Sequence, residues 1–222
     1  KASDLHISYN EKNISMAMPS ILTWLEGKDA TSTIAYQTIM KHVGSEEEGK
    51  SLALRLLIHY YGDIHQPLHN VDRYTKEFPN GDKGGNAFEL KNHYSANELH
   101  AVWDNVIYTY HKNPKRPFTA ATWSDFGALA DDLVHQYTFT TSDIKTTDFH
   151  QFMVESNKIA VTAYDGLTQG KDQTVPDSYI AKFAPVAKKR VVLAANRLAY
   201  AIDQLFSSKK VMMSQGEDFD MA

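Results

Sequence analysis

Cysteine is absent from this 222-residue chain, which removes disulfide staples and thiolate metal sites together. Any metal must therefore be held by histidine, aspartate and glutamate. The absence does not assign a redox compartment, because an exported domain of this size can be stable without disulfides. No apolar run approaches the roughly 18–20 residues of a membrane-spanning helix, so none is expected. The N-terminus carries no basic-then-apolar leader, and any such segment is expected to have been removed. Positive charge is scarce as well. A formal net charge of −4 argues against a protein that coats nucleic acid through a basic stripe. If the chain handles phosphates, bound cations must supply the positive charge.

Two missing motifs narrow the metal chemistry. Glu-x-x-His occurs nowhere in the sequence, which rejects a ferritin-like di-iron bundle. The dipeptide His-Asp is also missing, which rejects the phosphohydrolases built on that dyad.

What is present is an ordinary globular composition, 42% hydrophobic and 23% charged, with helical periodicity throughout. Helices are expected over 16–27, closed by Gly27, and over 31–43, capped by Thr31 or Ser32 and stopped at Gly44. The clearest follows Ser45, with Glu46, Glu47 and Glu48 in its first turn and SLALRLLIHYYGD behind them. Residues 71–94, with Pro79-Asn80-Gly81-Asp82 and Gly84-Gly85-Asn86, read as a long loop with a brief hairpin. Further helices are expected over 96–111, 119–138, 146–165 and 176–207. The expected organisation is one mainly α-helical domain over residues 1–208 and a disordered tail over 209–222.

The stretch HYYGDIHQPLHN, residues 59–70, concentrates chemistry. Helical residues four apart share a face, about 5–6 Å apart at Cβ. His59 and Asp63 have that spacing, and so do His100 and Asp104 on a separate segment. Each pair offers one imidazole nitrogen and one carboxylate oxygen to a common point, which suits zinc. Pro67 stops the first helix and lets the chain turn back at His69. An aspartate can bridge two metals about 3.5–4 Å apart. One such pair alone is common on surface helices; two pairs, His69 and a Gly-Gly-Asn loop together point to a metal site. His65 falls on another flank, on the surface or behind the ligands. His42, His93, His111, His135 and His150 have no partner at useful spacing and read as solvated.

The text GDIHQPLH, then GGN, then LHAVWD resembles the zinc-dependent single-strand nucleases, also called S-one/P-one or class I nucleases, or 3'-nucleotidase/nucleases. The likeness is good over residues 6–104. It continues more weakly through VESNKIAVTAYDGL and LAANRLAYAIDQLF. It implies a multi-helix fold with a trinuclear zinc cleft, similar to zinc-dependent phospholipase C. By the same resemblance His6 and His59 would ligate the first zinc, and Asp63 would bridge the first and third. His69, His100 and Asp104 would hold the second. Asn86 and Gly85 would meet the substrate near the scissile phosphate. The family's base-binding aromatic and acid become Ile7 and Tyr9. The implied activity is hydrolysis of single-stranded RNA and DNA and of 3'-nucleotides to 5'-phosphate products by zinc-activated water, in a secreted or otherwise extracytoplasmic protein. Lys1 begins just upstream of Leu5-His6, so the family's N-terminal tryptophan, a further histidine and an aspartate ligand have no counterpart here. The reading is a family domain lacking its N-terminal portion, which could act as a separate partner fragment. A phospholipase C and an inert or purely binding remnant stand as the alternatives.

Overall fold

The computed structural model describes residues 13–112 and 114–216, with side chains described as far as residue 207. His6, Ile7 and Tyr9 lie outside the described residues. Helices dominate. In chain order they are α1 (Ile14–Leu25), α2 (Ile34–Ile39), α3 (Glu46–His65), α4 (Leu99–Asp104), α5 (Ala120–Gln136), α6 (Thr141–Ile144), α7 (Phe149–Ala160) and α8 (Asp177–Gly216). A 3-10 turn over Pro67–Asn70 follows α3, and the strands β1 (Glu89–His93) and β2 (Ala96–Glu98) precede α4. The chain divides into two compact units, one of residues 63–138 and 150–192, the other of 13–62, 139–149 and 193–216.

The second of these is built on α1–α3. Asn13 caps α1 by accepting the Ser15 N–H at 3.0 Å, and Ser45 caps α3 by accepting that of Glu48 at 3.2 Å. Met18, Ile21 and Trp24 of α1 and Ala53, Leu57 and Tyr61 of α3 are buried, at the helical spacing that the sequence displays. Gly49 is small for a reason. A β-carbon there would come within 2.6 Å of the Trp24 ring. Burial pushes the Tyr61 hydroxyl up to about 12, against the opposing charge of Arg197.

The first unit has its own core, in which Leu68, Phe88, Leu99, Trp103, Ile107 and Phe183 pack together. Two buried hydroxyl bonds cross it. Trp103 Nε1 donates to Tyr179 Oη at 2.9 Å, and Tyr179 Oη donates to the Ala163 carbonyl at 2.6 Å. Tyr179→Phe would keep the ring and strand both partners, at about 1–3 kcal/mol for each buried polar group left unpaired. A clear drop in melting temperature is expected, and an unchanged melting curve would contradict the bond pair.

The expected helix over 96–111 is not formed as one element, and this corrects the sequence reading. Ala96–Glu98 pairs antiparallel with Glu89–His93, so the hairpin lies later than the loop reading placed it. Beyond α4, Val106, Ile107 and Tyr108 take φ of 55°, 52° and 64°, a left-handed turn. That conformation costs about 1–2 kcal/mol per residue. All three side chains are buried, and burying such side chains returns about 1.5–3 kcal/mol each. Tertiary packing outweighs the local preference. Elsewhere the differences are of extent: α2 and α7 are shorter than expected, α6 was unexpected, and α8 continues to Gly216 rather than 207.

Candidate functional site

The site begins where α3 ends. Gln66, at φ −75° and ψ 118°, sits in the extended region that a following proline demands. Pro67 then opens the 3-10 turn that carries His69. Asn70 ties this turn back by donating to the Ile64 carbonyl at 3.0 Å and the Gln66 carbonyl at 2.9 Å. The last turn of α3 is also held from behind. Arg190, 7% exposed, donates to the His65 carbonyl at 3.1 Å, to Glu155 at 3.1 Å and to Ser156 Oγ at 2.7 Å. Ser156 in turn donates to the Ile64 carbonyl at 2.7 Å. His65 is therefore not a surface residue; of the two places the sequence left open for it, burial excludes the surface. It is buried, with its ring centroid 4.9 Å from that of Phe152.

The loop between the turn and the hairpin is organised by two aspartates. Asp82 is fully buried; it accepts from the Arg73 N–H at 3.0 Å and from the Tyr164 hydroxyl at 2.6 Å. Asp72 accepts the Lys83 N–H at 2.8 Å. Burial first, and then the bond to Asp82, raise the Tyr164 hydroxyl well above its ordinary range. The loop delivers Gly84 and Gly85, at φ 63° and 84°, onto the start of α4. The Gly84 carbonyl lies 2.8 Å from His100 Nδ1, and the Gly85 carbonyl accepts the His100 N–H at 3.3 Å. A carbonyl can only accept, so Nδ1 carries a proton and Nε2 is the nitrogen turned towards Asp104.

Three side chains converge. His100 Nε2 lies 3.6 Å from Asp104 Oδ2, one turn along α4. His69 Nε2 lies 3.7 Å from Asp104 Oδ1, and its Nδ1 lies 3.9 Å from Asp63 Oδ2. The rings of His69 and His100 are 4.8 Å apart. One ligand atom from each of His69, His100 and Asp104 falls within 4.8 Å of the others. Zinc bonds of about 2.0–2.2 Å in a tetrahedron place neighbouring donors about 3.3–3.5 Å apart. The two histidine–aspartate spacings, 3.6 and 3.7 Å, lie within a few tenths of an ångström of this, and the three ligand atoms as a set fall within 4.8 Å. Two imidazoles with one carboxylate are a zinc donor set. The residues fit the metal.

Charge is arranged accordingly. The Asp104 carboxylate holds the His69 imidazole above its ordinary value despite burial, and Asp63 adds to this. Burial acts to raise Asp104, but His69, Gln66 and His100 outweigh it and hold the carboxyl below the usual range. Gln66 donates from Nε2 to Asp104 Oδ1 at 2.8 Å. Sequence reasoning passed over Gln66. Its one local signal was the Gln-Pro pair at the end of a helix, which marks a cap but not a partner in α4.

The other sequence candidates fall as follows. Asp63 is half-buried and faces His69. His59 is exposed on α3 in the other unit, with its ring 6.0 Å from that of Tyr60. It does not belong to the metal-competent group found among the described residues. Gly85 is buried with its carbonyl on α4, while Asn86 is exposed and donates from Nδ2 to the Lys83 carbonyl at 2.7 Å. His111, expected to be solvated, is half-buried and stacks on Tyr94 with ring centroids 3.7 Å apart.

Comparison with known proteins gives a consistent result. The chain is 32% identical to Endonuclease 5 of Arabidopsis thaliana over 169 residues, covering 71% of this chain and 52% of the relative. It is 31% identical to Endonuclease 4 of the same plant over 169 residues, covering 71% and 51%. Nuclease S1 of Aspergillus oryzae is 25% identical over 169 residues, covering 70% and 54%. The chain thus spans about half the length of these curated relatives. The S1/P1 Nuclease family profile matches residues 10–207, a range that contains the whole convergent cluster, and this chain belongs to that family.

Proposed function

We propose that this chain carries the metal-binding heart of a zinc-dependent nuclease. In this reading the protein hydrolyses single-stranded RNA and DNA, and also 3'-nucleotides, to 5'-phosphate products. The observation that carries the reading is the convergence of His69, His100 and Asp104 in a member of this family. Relatives named as endonucleases support action on nucleic acid. A zinc ion bound there would polarise a phosphoryl oxygen and make water a better nucleophile at neutral pH.

The chain's own residues prepare for this. His100 presents Nε2 because its Nδ1–H donates to the Gly84 carbonyl. Asp104 is kept ionised by its neighbours. Asn86 would leave the Lys83 carbonyl and donate to a phosphate oxygen, and Asp63 would serve a second metal from the far side of His69. Further metals, on the resemblance, would draw on His59 and His6. The same likeness suggests an extracytoplasmic protein.

Substrate choice follows from charge. A net charge of −4 does not favour gripping a duplex by charge over a wide face, since each phosphate contact needs a nearby cation. Cation density would be local, at the metal, favouring an unpaired strand whose bases can splay. Digestion of an oligonucleotide and its matched duplex by the complete protein is expected to cut the single strand much faster and leave 5'-phosphate ends. Equal rates, or 3'-phosphate ends, would overturn the assignment.

A further inference from the structure

We infer that Gln66 is a positioning residue for the metal cluster, joining the two chain segments that supply its ligands. The inference rests on the metal reading above and extends it to a residue that binds no metal itself. Gln66 uses both ends of its amide. The Oε1 atom accepts the Leu68 N–H and so caps the turn that carries His69. Its Nε2 donates to Asp104 Oδ1 at 2.8 Å, across 38 positions of sequence.

One planar group therefore sets the turn of His69 and the carboxylate of α4 at a common distance. Asp104 is half exposed, and without Gln66 this carboxylate, on the last residue of a six-residue helix, would be oriented only by the longer contacts to the His69 and His100 rings. With Oδ1 held by Gln66, Oδ2 stays turned towards His100 Nε2 at 3.6 Å. The backbone helps. Pro67 forces Gln66 out of the helical region, so its side chain leaves α3 at the point where it can reach α4. Groups that orient a metal ligand typically contribute about 10–100-fold in metal affinity.

The test separates orientation from turn stability. Gln66→Ser keeps a short capping oxygen for Leu68 N–H but cannot reach Asp104. Asn70→Ala removes the bonds to Ile64 and Gln66 without touching Asp104. Zinc affinity of the protein and both variants would be measured by chelator competition, with the visible band of bound cobalt reporting the ligand geometry. Gln66→Ser is expected to weaken zinc about 10–100-fold and to alter the cobalt band. Asn70→Ala should lower the melting temperature while affinity stays within about twofold of the parent. Gln66→Ser affinity equal to the parent, or an equal loss in Asn70→Ala, would overturn the inference while leaving the metal reading intact. A parent protein that binds no zinc would overturn both.

Discussion

Asp104→Asn is expected to lower zinc affinity at least about a hundredfold, the upper end of what loss of a mere ligand-orienting group costs. Turnover of a single-stranded substrate by the complete protein is expected to fall about a thousandfold. Such a metal supplies several kcal/mol of transition-state stabilisation, and about 4 kcal/mol corresponds to a factor of about a thousand. The substitution is chosen because it is nearly isosteric. The amide oxygen can still accept from Gln66, so the side chain keeps its place and only the anionic oxygen that faces His100 is lost. The helical circular-dichroism signal should persist. Near-parental turnover in this variant would show that the cluster of His69, His100 and Asp104 is not the working metal site.

The second large effect is expected at Gly84. Gly84→Ala places a β-carbon against the Leu68 carbonyl, and the residue's φ of 63° is one that side chains rarely adopt. A non-glycine residue held there costs about 1–3 kcal/mol before any collision is counted, and the obstructing atom is backbone that cannot swing aside. The damage should also reach the metal, because the Gly84 carbonyl fixes the proton on His100. Melting temperature and zinc affinity are both expected to fall sharply, whereas Gly127→Ala provides the contrast. Gly127 lies inside α5 with open space around it, and alanine there should gain up to about 1 kcal/mol from helix propensity. Equal melting temperatures for the two variants would contradict this account of the loop.

Much of the site could be read from the chain alone because its grammar is local. The i,i+4 spacing of His100 and Asp104 needs only one turn of α4, and that turn exists. Ser45 with its following glutamates, and Pro67 after Gln66, bracket α3 through capping and a missing N–H, both properties of neighbouring residues. The resemblance carried by GDIHQPLH and LHAVWD agrees with the family to which the chain belongs.

Only the tertiary structure decided the rest. It brings His69 beside α4, seals His65 against Phe152, and reaches from Gln66 to Asp104 across 38 residues. None of these contacts has a sequence period, because each depends on a loop folded by buried partners such as Asp82 and Tyr164. The left-handed turn at Val106–Tyr108 is the sharpest instance. Its residues have the spacing of a continuing helix, and local propensity would extend α4 through them. Burying three side chains in the core is worth more than the backbone strain, so packing, not propensity, ends the helix at Asp104.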